Sequence, residues 1–177
     1  MDLIDDSEPV FAAPPLLSEQ LRTGNLDAVL TFWPYAARLE TAGHRRLSDV
    51  GNLLRDLGIS QPQALIGYVF RKELIDSNPA GLREFFTAVD RTNAVLDSSE
   101  EAWRRLRPLM KVQNNAEFEA LKTGYRAGIP EPNQPLDIEA VGKLFGILVA
   151  VGGERLVGPG TQFDKDIFWD PKTIIGQ

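Results

Sequence analysis

Gly24-Asn-Leu-Asp-Ala-Val-Leu-Thr-Phe-Trp-Pro-Tyr-Ala-Ala-Arg-Leu-Glu40 is the stretch on which the fold turns. A turn signal, Gly24-Asn25, precedes an apolar run from Leu26 to Phe32 that only Asp27 interrupts. Trp33-Pro34 then opens a helical pattern over Tyr35 to Glu40. Strand-to-helix units of this kind build parallel sheets, and ligands of such sheets bind beyond the carboxyl ends of the strands. That end carries Thr31, Phe32, Trp33 and Tyr35, a hydroxyl and three rings. Rings with polar edges suit a pocket that is apolar and still places hydrogen bonds. They suit the packed end of a sheet as well, and the sequence leaves both readings open.

On the amino-terminal side, Pro9–Ala13 reads as a short strand that Pro14-Pro15 stops. Proline fits the first helical position, so a helix from about Pro15 to Arg22 follows, with Gly24 as its left-handed terminator. On the other side, Ala42-Gly43 ends the second helix and Arg45–Val50 is a weak strand candidate. Leu53, Leu54 and Leu57 mark a short helix ending at Gly58. Ala64–Phe70 is a further strand, apolar enough to be covered on both faces. Gly67 in its middle points to a bulge or a close backbone approach, where Tyr68 could present its hydroxyl.

From Arg71 onward the pattern is helical. Asn78 caps a helix with Pro79 at its first position. Ser98 to Glu101 forms a capping box before Trp103 and Leu106, and Asn114 with Glu117 a looser one before Phe118, Leu121 and Tyr125. Asp137 opens a long apolar helix that Gly152-Gly153 terminates. The faces bearing Phe85, Phe86, Trp103, Phe118 and Phe145 each need a partner, which predicts one helical cluster from Asn78 to Gly152. Phe163, Phe168 and Trp169 predict a tail that docks on the body.

The chain has 177 residues, 43% of them hydrophobic and 25% charged, with a formal charge of −6. That is ordinary globular composition, and its acidity argues against nucleic acid as a partner. The basic cluster Arg104, Arg105 and Arg107 reads as a solvated helix face. Without cysteine, thiolate chemistry and disulfides are excluded. The single histidine, His44, does not make a metal centre or a nucleophile–histidine triad. No phosphate-binding glycine loop, paired metal ligands or nucleophile elbow occurs, so the expectation is a protein that is not an enzyme and uses no cofactor. No run reaches the length of a membrane span, and the acidic start Met1-Asp-Leu-Ile-Asp-Asp is not a signal peptide.

Three segments in order carry a family resemblance. They are Ala12-Ala-Pro-Pro-Leu-Leu with Leu21 to Ala36, Leu65-Ile-Gly-Tyr-Val-Phe-Arg-Lys-Glu-Leu with Asn78 to Phe86, and Trp103 onward with Phe145 to Gly153. Together they resemble solute-binding proteins of ABC importers of the nitrate, sulfonate and taurine type. The resemblance implies an α/β chain, part of a two-lobed periplasmic-binding-protein-like (type II) fold with a helix-rich carboxyl-terminal half. Residues 1–67 would be the remainder of lobe two, and 68–177 a helical return segment of lobe one. Family members are nearly twice as long, so the chain would correspond to their carboxyl-terminal three-fifths, with Met1 an internal methionine or a truncated start. By resemblance the ligand-binding residues are Pro14, Thr31, Phe32, Trp33, Tyr35 and Tyr68. The partners would be a small solute, with an anionic one as an option, and a membrane permease. The setting would be the periplasm, and a truncated chain would be open to self-association. Arg38 and Arg71 are candidate anion partners. A thiamine-precursor synthase of the same fold is the enzymatic alternative, weakened by the missing cysteine motif. A truncated interaction module is the third.

Overall fold

The computed structural model describes residues 6–59, 66–131 and 136–169. Among these residues it is helical, with no strand. That overturns the α/β expectation and, with it, the two-lobed sheet architecture. Pro9–Ala13, Leu26–Phe32 and Arg45–Val50 are irregular chain or lead directly into helices; of Ala64–Phe70, residues 66–70 are irregular and the first two lie outside the described residues. No backbone hydrogen bond joins any two of these segments among the described residues. Short apolar runs do not distinguish a strand from other buried or irregular chain, and a strand exists only where a ladder partner meets it. Here local helix signals prevail at their edges. Proline enters at the start of the helices Pro14–Arg22 and Trp33–Thr41, and Asp49 accepts from the Asn52 N–H at 2.9 Å, starting the helix Val50–Asp56 inside the third candidate.

The chain forms two compact units, each built from two separate stretches. The first combines Met1–Leu47 with Leu96–Ile129. It contains α1 (Pro14–Arg22), α2 (Trp33–Thr41), α6 (Glu100–Leu106) with a following 3-10 turn, and α7 (Asn115–Ala127). The second combines Ser48–Val95 with Pro130–Gln177. It contains α3 (Val50–Asp56), α4 (Glu73–Ser77), α5 (Pro79–Ser98) up to Val95, α8 (Ile138–Gly152) and α9 (Glu154–Val157). The helices from Asn78 to Gly152 are therefore not one cluster: α6 and α7 belong to the first unit, α5 and α8 largely to the second.

Helix ends follow the sequence closely. After α2, Gly43 at φ 95° lets its own N–H reach Glu40 and the His44 N–H reach Leu39. This is a Schellman closure, which satisfies the last carbonyls of the helix. Gly58 closes α3 in the same way and brings buried Ile59 over buried Leu54. Asn78, Ser99, Asn114 and Asp137 each accept a backbone N–H three residues ahead. Ser99 rather than Ser98 is the cap of α6.

The core of the first unit is Ala37 and Leu39 of α2, Trp103 of α6, and Phe118 and Leu121 of α7. α2 packs against both α7 and α1. In the second unit Leu54, Ile59 and Leu82 are buried. A ring cluster joins Phe70, Phe86 and Trp169, and Phe163 packs between Phe145 and Phe168. The rings near the end of the chain thus dock on their own unit, as their sequence predicts. Lys143 of α8 donates to the Gly58 carbonyl at 2.9 Å.

These burials set an expected order of stability effects. Phe118 is 4% exposed, so Phe118→Ala should cost about 3–5 kcal/mol in chemical denaturation. Phe86 is only half-buried, and Phe86→Ala should cost clearly less. Equal losses would contradict this placement of the core.

Candidate functional site

The candidate site begins where irregular chain enters α2. Phe32 holds extended dihedrals, φ −76° and ψ 153°, and precedes the first helical residue. Pro34 sits in the first turn, where its missing N–H costs nothing. The Tyr35 and Ala36 N–H groups both donate to the Phe32 carbonyl. Rings are left at the surface: Phe32 is 69% exposed and Trp33 44%. Tyr35 is half-buried. Thr31 turns inward, and its Oγ1 is buried without a hydrogen-bond partner among the described residues.

The Trp33 ring has a support that sequence reasoning missed. Gly124 of α7 lies against it so closely that a Cβ there would come within 2.8 Å of the ring edge. An isolated glycine inside the helical pattern Phe118 to Tyr125 is the signal that could have marked it. Among the described residues the indole N–H of Trp33 has no hydrogen-bond partner, and no other ring stacks on it.

Arg38, a candidate anion partner, is engaged within the protein. It pairs with Glu117 at 2.9 Å and donates to the carbonyls of Met110 at 2.9 Å and Lys111 at 3.4 Å. The other Glu117 oxygen accepts from the Gln113 N–H at 2.6 Å.

Among the described residues no hydrogen bond or ring contact joins the remaining sequence candidates, Pro14 and Tyr68, to these rings. Pro14 is the first residue of α1, half-buried, and its carbonyl accepts from the Ser18 hydroxyl at 2.8 Å. Tyr68 belongs to the second unit, where it meets Phe85 and Phe86 edge-on with centroids 5.1 and 5.9 Å away. The close approach expected at Gly67 does not occur: a Cβ there would meet nothing within 4 Å. A shallow trough of about 520 Å³ runs along α5 between Arg83 and Thr92. All its lining side chains come from that one helix, so it has a single wall and reads as a solvated helix face. Among the described residues no group of acids and histidine is placed to hold a metal, and no helix is long and apolar enough to cross a membrane.

Behind the rings, α7 is fixed to α6 by charge. Lys122, itself buried, bridges Glu100 and Glu119, each at 2.7 Å. Arg126 reaches Glu100 at 2.9 Å and the Leu96 carbonyl at 3.0 Å, beside the Trp103 indole N–H, which donates to the same carbonyl at 2.6 Å. The hydrogen bond from Lys122, and then that from Arg126, holds the Glu100 carboxyl below its usual range. The bonds to Glu100 and Glu119 push the Lys122 amine up. No protein-family model matches the chain, and no curated protein matches it.

The lowered carboxyl has a definite sign in stability. Its contribution is present above the usual carboxylate range and is lost as pH falls through the lowered value. The Lys122 contribution is present below the usual amine range and is lost as pH rises through the raised value. Glu100→Gln should therefore destabilise the chain at neutral pH, with the gap to the wild type closing under acid. Denaturant melts of both proteins across pH would show this, and a gap independent of pH would contradict it.

Proposed function

We propose that the chain is a solute-binding module that captures a small molecule at the Phe32–Trp33 corner, and that its role is the solute-binding component of an importer delivering to a membrane permease. The observation that carries the reading is the pair of exposed rings at the entry to α2, one of them seated against α7. Exposed aromatic rings on a rigid helical support are contact surfaces with little ordering cost on binding. The importer role rests on the sequence resemblance alone. No bond is made or broken in this role.

A second reading, a helical interaction module, has its own support. Among the described residues, α8 is apolar on most of its surface yet has no fully buried residue. Val151 is 80% exposed and, with Leu148 and nearby Leu156, leaves an apolar stripe at the α8–α9 corner. Such stripes associate with partners.

One set of measurements separates the two. Calorimetric titration with nitrate, taurine, alkanesulfonates and uncharged ring compounds should find a saturable solute. Trp33→Ala should weaken that binding by about tenfold or more, equivalent to about 1.4 kcal/mol, with little change in thermal midpoint. If no solute binds, and light scattering shows association that Val151→Glu abolishes, the interaction reading replaces capture.

A further inference from the structure

We infer that Gly124 is the positioning residue that fixes the orientation of Trp33, and that the ring surface so presented takes a flat, uncharged ring compound bearing a hydrogen-bond acceptor. The ligand half of this inference rests on the solute-capture reading; the seating of the ring does not.

Glycine is a poor choice inside a helix, because it loses the most backbone freedom on folding. Gly124 lies inside α7, and its backbone is not in the left-handed region that would require glycine. Space is what requires it. A Cβ at this position would stand 2.8 Å from Cζ3 of Trp33, closer than carbon atoms approach, and a tight 3.0 Å from Cε3. The missing side chain lets the six-membered ring of Trp33 come down on the helix. The ring remains 44% exposed. The edge against Gly124 is that of Cζ3 and Cε3, the side of the ring opposite the indole N–H, and this N–H donates to nothing among the described residues. Stacking on the ring and one hydrogen bond from the N–H recognise a planar group with an acceptor at its edge.

Charge selects against an anion at this place. Arg38 would have to leave Glu117 and the carbonyls of Met110 and Lys111 to reach one, stranding the carboxylate of Glu117, which is buried. The amino-terminal end of α2 has little to add, since Pro34 has no N–H and those of Tyr35 and Ala36 are turned to Phe32. The solute options that the sequence leaves open are thereby narrowed toward the uncharged.

The test follows the three tryptophan indole N–H signals of the full chain by nuclear magnetic resonance, with Trp33→Phe assigning the signal of interest. Gly124→Ala should move the Trp33 signal and leave those of Trp103 and Trp169 in place. Nicotinamide should shift the Trp33 signal saturably in the wild type and about tenfold more weakly in Gly124→Ala. Methanesulfonate should not shift it. A Trp33 signal unmoved by Gly124→Ala overturns the seating. Saturation by methanesulfonate, or none by nicotinamide, overturns the ligand class, while the calorimetric panel separately decides whether the chain captures any solute. A second comparison guards against a variant that folds poorly. With the ring removed by Trp33→Leu, Gly124→Ala should raise the thermal midpoint, because alanine favours helix. With the ring present it should not. The same sign in both backgrounds counts against the seating.

Discussion

The ion pair between Arg38 and Glu117 is the contact on which the first unit depends. Glu117 is 6% exposed, and a carboxylate so placed is tolerated only when its oxygens are satisfied. One oxygen takes Arg38 at 2.9 Å and the other the Gln113 N–H at 2.6 Å. Arg38 also holds the carbonyls of Met110 and Lys111, so one guanidinium ties α2 to the turn before α7 and to α7 itself. Lys111 adopts φ 52° in that turn, a conformation uncommon for a side-chain-bearing residue. Its carbonyl faces Arg38 there, so the ion pair and the turn support one another.

Given that frame, α7 serves two neighbours. Its Glu117 and Gly124 meet α2 through charge and through the Trp33 ring. Its Lys122 and Arg126 reach Glu100 at the start of α6, and Arg107 lies over the Phe118 ring at 4.7 Å. Among the described residues this thirteen-residue helix thus makes charge contacts with both α2 and α6. A ring supported by such a helix is pre-oriented, and pre-orientation reduces what binding must spend on ordering. The rings around Tyr68, by contrast, pack against one another.

How much of this was legible in the sequence differs by feature. Helix ends were readable because their signals are local: Gly43 and Gly58 stop helices, and Asn78, Asn114 and Asp137 start them. Strands were misread because Leu26–Phe32 is apolar for only a few residues, and its sequence does not say whether a ladder partner exists. The structure leaves Leu30 93% exposed there. The cluster Thr31, Phe32, Trp33 and Tyr35 could be picked out, but not the seat of Trp33, because Gly124 lies far along the chain. Arg38 read as a free cation for the same reason, since Glu117 and the Met110 carbonyl come close only in the folded chain. Residue-type patterns find groups able to act; long-range partners decide which of them are already engaged.

The central claim is that α2 and α7 form one mutually supported pair. Native-state hydrogen exchange of the full chain tests it most directly. The account predicts that the amides of Ala37 to Leu39 and of Phe118 to Lys122 exchange slowly and at matching rates, and that Arg38→Met accelerates both together. Exchange of the α2 amides at loop-like rates while α7 stays protected would contradict it.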